Sequence, residues 1–308
     1  MNPGPHFIII GAMKCATSTL HDRLAEQPGV FMTEPKEPCY FSDDEVYARG
    51  EAWYRSLFED AGPGELRGES STHYTKLPTH PHTVERCAAL RPPESGLKLI
   101  YVMRDPIDRI VSQYVHEWSM RLTDAPIDRS VDELPILVDY SRYAMQLSPW
   151  FEVYGKERVL PVCFERFTAE PERELERVAA FLGLPHPLVH DTRSEAVNAS
   201  AQRIRASPWR DRLVEYPALR ALRRTLVPKS FRTWVRSRWA IRDRPRLSDA
   251  VRERLESELD PEMKRLGDWL GRELSCATWK QAVREGDAPD WCDRPAPRDA
   301  ATEREAAP

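Results

Sequence analysis

Long apolar segments are missing from this sequence. No hydrophobic run approaches the length of about 18 residues that a membrane-spanning helix needs. The N-terminus also lacks a basic region followed by an apolar stretch and a cleavage site, so we expect neither a membrane span nor a signal peptide. The six cysteines are scattered and form no C-x-x-C pair. The cysteine pattern therefore predicts neither a disulfide framework nor a zinc site, and a reducing cytoplasm is the expected location.

An excess of positive charge is missing as well. The 45 Lys and Arg residues are outnumbered by 49 Asp and Glu residues, and the net charge of −4 gives no argument for a nucleic-acid partner. A chain of 308 residues is long enough to bury a full core, and it shows no internal repeat. We interpret residues 1–284 as one folded domain. Residues 285–308 are charged and rich in Pro and Ala, and they are predicted to be a disordered tail.

The first twenty residues predict a strand, a tight loop and a helix. Phe7–Ile10 is short, apolar and β-branched, which favours a buried strand, and Gly11–Leu20 continues with small residues around Lys14. Short hydroxyl donors follow the lysine at three consecutive positions, Thr17, Ser18 and Thr19. A helix N-terminus beside a lysine favours an anion. Lys14 does not stand where a Walker A loop requires its lysine, so the sequence gives no specific support for binding of ATP with Mg²⁺. The other interpretation of the segment is an ordinary turn with a solvated lysine.

A second phosphate-type motif follows the strand predicted at 97–103. Asp105-Pro106 is a sound helix start, which places Arg104 at the carboxyl end of the strand. Ser112 lies two turns along the predicted helix, near the face that looks back at the strand end. An arginine fork and a hydroxyl at one place suit a phosphate group. The alternative is a structural ion pair between Arg104 and Asp108 with a core-facing serine.

Two candidate bases lie between these motifs. The two prolines in Thr33–Phe41 favour an extended segment that can place the Glu37 carboxylate beside aromatic residues, where its pKa can be tuned. His73 follows a short strand predicted near residue 67 and lies in a polar loop. A surface loop with solvated charges is the other interpretation of the Glu37 segment.

Alternating strand and helix signals indicate an α/β fold, a P-loop-like, doubly wound, mostly parallel sheet flanked by helices, with a helical C-terminal part. Pro161 argues that the third clear strand, near 158–164, lies at an edge of the sheet or is irregular at that residue. The Arg-rich segment 195–245 is interpreted as a helical lid or flank for an anionic ligand, or as a solvated face. The remaining predicted helices are 45–60, 80–90, 140–154, one capped by Thr168, one from Ser248 to Leu259, and one from Asp260 to Gly271.

Together these motifs resemble the sulfotransferase family that uses 3′-phosphoadenosine-5′-phosphosulfate (PAPS), in particular the branch with the heparan sulfate sulfotransferases and their bacterial relatives. Phe7–Leu20 is similar to the family's 5′-phosphosulfate loop, Lys36–Phe41 to its acidic segment ending in aromatics, and Arg104–Tyr114 to its 3′-phosphate motif. Weaker similarities cover 154–185 and 247–279. The resemblance spans most of residues 5–280.

The resemblance implies a sulfuryl transfer from PAPS that leaves adenosine 3′,5′-bisphosphate (PAP) and needs no metal ion. It implies catalytic roles for Lys14 and Glu37, with His73 as the rival base or an acceptor contact. The implied cofactor-binding residues are Lys14, Cys15, Ala16, Thr17, Ser18, Thr19, Arg104 and Ser112. The implied partner is a small-molecule or glycan acceptor that receives the sulfuryl group on a hydroxyl or an amine. The sequence gives neither the identity of this acceptor nor the oligomeric state.

Three departures from the family pattern limit what the resemblance implies. Ala16 replaces the usual loop glycine. Ser70 stands where several heparan-type enzymes carry a lysine near the acceptor, and a counterpart of their disulfide-closed loop is missing. The other functions weighed are a P-loop nucleotide kinase, which would need ATP and Mg²⁺, and a non-catalytic nucleotide-binding protein with the same fold.

Overall fold

A five-stranded parallel sheet organises the molecule. The structure, a computed structural model, describes residues 4–184 and 244–292. The strands lie in the order β2-β3-β1-β4-β5, and every neighbouring pair runs parallel. Their bounds are β1 Phe7–Gly11, β2 Val30–Met32, β3 Leu66–Ser70, β4 Lys98–Met103 and β5 Val159–Cys163. The predicted α/β fold with a parallel sheet is thus confirmed, and so is the edge position of the strand that contains Pro161.

Helices connect the strands, and we number them along the described residues. The first seven are α1 Thr17–Ala25, α2 Asp44–Tyr47, α3 Gly50–Ser56, α4 Thr83–Leu90, α5 Pro106–Ser119, α6 Ile127–Glu133 and α7 Ile136–Asp139. The next five are α8 Tyr143–Tyr154, α9 Phe164–Ala169, α10 Pro171–Leu182, α11 Asp249–Leu270 and α12 Trp279–Arg284. A short 3₁₀ helix, Thr72–Thr75, follows β3. No helix in the described part of the chain combines the length and the apolar character needed to cross a bilayer.

The order of the strands determines where a ligand can bind. The chain leaves β1 toward one side of the sheet to form β2 and β3, and it then crosses to the other side of β1 to form β4 and β5. The direction of winding therefore reverses between β1 and β4. In open α/β sheets, ligands bind in the crevice outside the carboxyl ends of the strands at this switch point. The loop after Gly11 and the segment that starts at Arg104 leave the sheet there.

Burial explains why β1 occupies the centre. Every residue of Phe7–Gly11 is buried, as the continuous apolar run predicts for a strand covered on both faces. Fully burying one such Ile or Phe side chain contributes about 1.5–3 kcal/mol. Gly68 on β3 faces the Phe7 ring so closely that a Cβ atom there would lie 2.1 Å from the ring carbon Cζ. The ring can therefore pack directly on the neighbouring strand only because this residue is glycine.

Three helix predictions are wrong in their bounds. The segment 45–60 forms two short helices, α2 and α3, because the chain turns at Gly50, whose φ is +84°. Thr168 caps no helix; its hydroxyl donates to the Phe164 carbonyl within α9, and α10 begins at Pro171. The two helices predicted between Ser248 and Gly271 are the single helix α11, which contains Pro261.

The C-terminal helices are tied to the carboxyl ends of the strands. Trp279 is fully buried, and its indole Nε1 donates to Glu165 Oε2 at 3.0 Å. The other oxygen of that carboxylate, Oε1, accepts from the Asp105 backbone N–H at 2.8 Å. Glu165 therefore links α12 to the start of α5, which follows directly after Arg104.

The predicted disordered tail starts too early. Trp291 is 2% exposed, and its indole nitrogen donates to the Val159 carbonyl at 2.7 Å. Arg177 donates to the Pro289 carbonyl at 2.9 Å. Residues 285–292 therefore belong to the folded part, while the tail prediction for 293–308 lies outside the described residues. The lid predicted at 195–245 also lies outside them, except for its last two residues.

Glu69 gives the fold a pH dependence that can be measured. Burial raises the pKa of this carboxyl, at the end of β3, to about 7, and the hydroxyl groups of Tyr74 and Tyr54 offset only part of the effect. A carboxyl whose pKa is higher in the folded than in the unfolded state binds more protons when folded. The stability that it contributes is complete below about pH 4.5 and is lost as the pH rises through about 7. The shift corresponds to roughly 3 kcal/mol of unfolding free energy.

We expect Glu69→Gln to remove most of this dependence, since glutamine is neutral at every pH. Urea denaturation at pH 5 and pH 8 measures it. The loss of stability between the two values should be smaller in the variant than in the wild type, whereas the exposed-residue control Glu59→Gln should behave as the wild type does. Equal losses in Glu69→Gln and the wild type would show that Glu69 is not protonated in the folded state.

Candidate functional site

The loop after β1 is shaped by backbone conformations that expose amide groups. Lys14 and Ala16 have φ values of 72° and 68°, in the left-handed region. A Cβ atom on Gly11, where the loop begins, would lie 2.0 Å from the Thr75 hydroxyl, so the close approach of these two chain segments requires glycine. The loop passes directly into α1, which has no side-chain N-cap.

The amide groups predicted to cradle a phosphate are only partly available. The Cys15 N–H donates to the Ala12 carbonyl at 3.3 Å, and the Leu20 N–H donates to the Ala16 carbonyl at 3.1 Å. The Cys15 amide is therefore already paired within the loop, which turns back on itself there, and the contact of Cys15 with the cofactor that the resemblance implies stays a prediction. The amides of residues 16–19 have no hydrogen-bond acceptor among the described residues. Unpaired amides at a helix N-terminus are the kind of donors that bind anions.

Arg104 lies against this loop. Its Nη1 donates to the Lys14 carbonyl at 3.3 Å, and its guanidinium carbon stands 4.3 Å from the centre of the Phe164 ring. The Tyr143 hydroxyl contacts both the N–H and the carbonyl of Arg104, at 3.2 and 2.7 Å. Backbone and side chain are thus both fixed. The buried Arg104 Nε has no hydrogen-bond partner among the described residues, so a donor remains for an anion.

The alternative pairing of Arg104 with Asp108 is not formed. Asp108 Oδ2 lies 2.7 Å from Lys280 Nζ, and Asp108 Oδ1 lies 2.8 Å from Arg244 Nη2. The structure brings Lys14 and Arg104 together but gives no such contact for Ser112. This serine is 5% exposed on α5, and within the described part of the chain no hydrogen bond joins it to Arg104.

Glu37 is held at the carboxyl end of β3. Its N–H donates to the Ser70 carbonyl at 2.9 Å, and its φ of 58° turns the chain at this point. Lys36 Nζ lies 3.0 Å from Glu37 Oε1, and the Thr72 hydroxyl donates to Oε2 at 3.2 Å. Burial acts to raise the pKa of Glu37, but the charge and hydrogen bond of Lys36, together with the charge of Lys76 and the Thr72 hydroxyl, outweigh it, so the pKa lies below its ordinary value. Glu37 is therefore ionised at neutral pH.

Lys36 connects this carboxylate to the loop, which sequence reasoning did not predict. Its Nζ donates to Ser18 Oγ at 2.8 Å, in the first turn of α1, as well as to Glu37. The Lys36 ammonium therefore bridges the Glu37 carboxylate and the first turn of α1. The only sequence signal was that Lys36 directly precedes the predicted base.

His73, the rival base, lies at the same place. A ring nitrogen of His73 and a carboxylate oxygen of Glu37 lie within 4.8 Å of each other. Burial and the charge of Lys76 lower the pKa of His73 to about 4, so the imidazole is neutral at neutral pH. The ring stacks on His80, with 5.0 Å between the ring centres. Both candidate bases are thus brought to one point.

Two further residues modify the surroundings of Glu37. Lys76, which sequence reasoning missed, is 8% exposed; burial lowers its pKa, and its Nζ lies 5.7 Å from the Tyr140 ring centre. A lone lysine after a polar loop gives no signal of this placement. Ser70 is fully buried, and its hydroxyl lies 2.8 Å from His21 Nδ1. Its side chain therefore does not reach an acceptor, unlike the lysine expected at this position from the resemblance.

The sequence of this chain is similar to those of known proteins. Residues 4–212 match the family model described as "Sulfotransferase domain". The chain is 34% identical over 190 residues to the heparan sulfate glucosamine 3-O-sulfotransferase 3B1 of Mus musculus. The aligned region covers 58% of this chain and 46% of that protein. It is 28% identical over 193 residues to the human heparan sulfate glucosamine 3-O-sulfotransferase 5, covering 59% of this chain and 54% of that protein. The chain thus spans about half the length of the curated relatives it matches.

A solved structure shares the fold. The sulfotransferase from Alicyclobacillus acidocaldarius superposes with a TM-score of 0.64, covers 90% of this chain and 98% of that chain, and is 23% identical in sequence.

Proposed function

Because the chain belongs to the sulfotransferase family, we propose that this enzyme moves a sulfuryl group from PAPS to a hydroxyl or amine of a small-molecule or glycan acceptor. One observation above all supports the proposal. At the switch point of the sheet, the Arg104 Nη1 donates to the Lys14 carbonyl at 3.3 Å, in the loop that also carries the unpaired amides of residues 16–19. Two sets of donors near one crevice suit a nucleotide phosphorylated at both its 3′ and 5′ positions.

We assign the two ends of the nucleotide from the chemistry of the donors. The 5′-phosphosulfate would lie at the helix N-terminus, on the amides of residues 16–19, with the hydroxyls of residues 17–19 and the Lys14 ammonium. The 3′-phosphate would accept from the Arg104 guanidinium, whose Nε has no protein partner in the described structure. We keep Ser112 as a proposed second donor to this phosphate. It is buried on α5, the helix that begins just after Arg104.

The reaction balances with groups that the chain supplies. The acceptor oxygen or nitrogen would form a bond to sulfur while the bond between sulfur and the 5′-phosphate oxygen breaks, and that oxygen keeps the electron pair. Lys14 would neutralise the charge that develops on the leaving oxygen. Glu37 would take the acceptor proton, a role typically worth about 10²–10⁴ in rate. In this scheme PAP and the sulfated acceptor leave, and Glu37 returns its proton to solvent.

We favour Glu37 over His73 as the base. Both side chains are unprotonated at neutral pH, because the pKa of Glu37 lies below its ordinary value and the pKa of His73 is about 4, so basicity does not separate them. The similarity of Lys36–Phe41 to the family's acidic segment favours Glu37. Lys36 would align Glu37 with the loop through Ser18, and His73 would contact the acceptor.

The acceptor class stays broad. The relatives are named for the glucosamine of heparan sulfate, but this chain spans about half of their length, and Ser70 is buried where a lysine would be expected. The charges of Lys36 and Lys76 around Glu37 favour an acceptor with some anionic character over a cationic one. We propose neither a nucleic-acid partner nor a membrane span. The cytoplasm is kept as the proposed location, and the six cysteines are all free thiols.

A transfer assay tests the proposal. The full chain is incubated with PAPS and a panel of phenols, alcohols, amines and oligosaccharides, without added metal, and release of PAP and sulfation of the acceptor are followed together by mass spectrometry. We expect equal amounts of the two products with at least one acceptor class. PAP binding without transfer to any acceptor would indicate a non-catalytic nucleotide-binding protein, and phosphoryl transfer that needs ATP and Mg²⁺ would indicate a kinase.

A further inference from the structure

Three side chains of different chemistry converge beside the crevice. One ligand atom each of Glu37, Cys39 and His73 lies within 4.8 Å of the other two. The three residues provide a carboxylate oxygen, a thiol sulfur and an imidazole nitrogen. His73 Nδ1 is buried and has no hydrogen-bond partner in the described part of the chain. Such an orphaned polar atom calls for a ligand, because burying it unpaired costs free energy.

The protein backbone holds this cluster together. Glu37 and Cys39 both have left-handed φ values, 58° and 54°, on either side of Pro38, which bends this segment sharply. The Glu37 N–H donates to the Ser70 carbonyl at 2.9 Å, and the Cys39 N–H donates to the Ser71 hydroxyl at 3.1 Å. The segment is therefore fixed on the chain that leads into the 3₁₀ helix of His73. The ligand atoms come from two segments that are hydrogen-bonded to each other.

We propose that Glu37, Cys39 and His73 form a binding site for a borderline-soft divalent cation, with Zn²⁺ as the expected ion. Sulfur and imidazole ligands select zinc over the hard cations Mg²⁺ and Ca²⁺. A tetrahedral zinc ion with bonds of about 2.0–2.3 Å separates its ligand atoms by roughly 3.3–3.8 Å. The ligand atoms lie within 4.8 Å of one another, so side-chain rotations must bring them together by up to about 1.5 Å. Three protein ligands leave the fourth position open for water.

The charges at the site determine how strongly it binds. A metal ligand of this kind must be a neutral imidazole or a deprotonated thiolate, so the Cys39 thiol gives up its proton to solvent when the metal binds. The resulting thiolate and the Glu37 carboxylate neutralise the dication. Lys36 and Lys76 oppose binding, and Glu37 must exchange its contact with Lys36 for the metal.

Occupation of this site would stop the proposed reaction. A carboxylate that coordinates zinc cannot take the acceptor proton, so Zn²⁺ is predicted to inhibit transfer, competing with the acceptor and not with PAPS. This consequence rests on the proposed function, whereas binding of the metal does not. The zinc is an inhibitor here and takes no part in catalysis.

Cobalt spectroscopy tests the site without any activity measurement. Co²⁺ replaces Zn²⁺ at tetrahedral sites, and a thiolate ligand gives it a charge-transfer band in the near ultraviolet. We expect the full-length wild type to show this band and Zn²⁺ to abolish it by displacement. The exposed-thiol control Cys292→Ser should keep the band, and Cys39→Ser should lose it. In Cys39→Ser and His73→Gln, which change ligands from the two different segments, zinc affinity should fall by at least about 10–100-fold.

Several outcomes would overturn the proposal. They are the absence of a thiolate band in the wild type, a band of full strength in Cys39→Ser, or a band lost in Cys292→Ser. Circular dichroism of each variant shows that it is folded, and either ligand variant alone suffices for the comparison. Cobalt bands without zinc inhibition of an active enzyme would contradict the inhibitory consequence. A wild type that gives the bands but sulfates no acceptor would contradict the proposed function and leave the metal site intact.

Discussion

Replacing Glu37 by Gln is expected to remove turnover and to leave binding of PAP unchanged. Glutamine keeps the size of the side chain and an oxygen that can accept from Thr72, but it cannot take a proton at neutral pH. The loss in kcat should be about 10²–10⁴-fold, as for other positioned general bases. Affinity for PAP should stay within about twofold, since in the proposed scheme Glu37 contacts the acceptor and not the nucleotide, and glutamine keeps an oxygen that can accept from Lys36. Single-turnover kinetics and calorimetric titration of PAP measure the two quantities.

The same segment offers a matched control. Glu34 is an exposed carboxylate three residues before Glu37, and Glu34→Gln should retain wild-type turnover and binding. His73→Gln serves as the comparison for the rival base and should raise the KM for the acceptor more than it lowers kcat. Near-normal turnover in Glu37→Gln, with kcat lost in His73→Gln, would transfer the role of base to the histidine.

Removing either phosphate contact is expected to weaken PAP binding, and each change should have its own signature. Charge-assisted hydrogen bonds contribute roughly 1.5–3 kcal/mol each, which corresponds to about 10- to 150-fold in the dissociation constant. Arg104→Ala should weaken PAP by this factor and leave adenosine 5′-monophosphate almost unaffected, because that nucleotide has no 3′-phosphate. Lys14→Ala should weaken both nucleotides. The ratio of the two affinities, measured by calorimetry in each variant, separates the two ends of the site.

A surface arginine is the control for these measurements. Arg129 is exposed on α6 and forms an ion pair with Glu133. Arg129→Ala removes the same charge from the protein and should change neither affinity. If Arg104→Ala weakened both nucleotides equally, Arg104 would not bind the 3′-phosphate, and the assignment of the two ends would be wrong.

The sequence was sufficient for those features that depend on neighbouring residues in the chain. The run Phe7–Ile10 and the segment 97–103 are continuously apolar, so their place as central parallel strands could be predicted and is confirmed. Lys14 and Arg104 each follow such a strand directly. In parallel strands the carboxyl ends meet at one edge, so their proximity followed from the fold class. Their roles, like that of Ser112, stay predictions.

Other features depend on contacts between distant segments and could not be predicted. Nothing near Lys36 in the sequence shows that it reaches Ser18, eighteen positions earlier. The cluster of Cys39 with His73 spans two segments and has no ligand spacing that a zinc motif would show. Pro261 was interpreted as a helix start, but packing of Leu259 and Met263 on the core carries α11 through it. In each case contacts between distant segments determined the structure, and the local sequence did not predict it.

Calorimetric titration of the wild type with PAP, and separately with ATP and Mg²⁺, tests the central claim most directly. That claim is that one crevice between β1 and β4 binds a nucleotide by both its 5′ and its 3′ phosphate groups. We predict binding of one PAP per chain, with no metal present, and with higher affinity than for adenosine 5′-monophosphate or ATP with Mg²⁺. Tighter binding of ATP with Mg²⁺ than of PAP, or equal affinities for PAP and adenosine 5′-monophosphate, would contradict it.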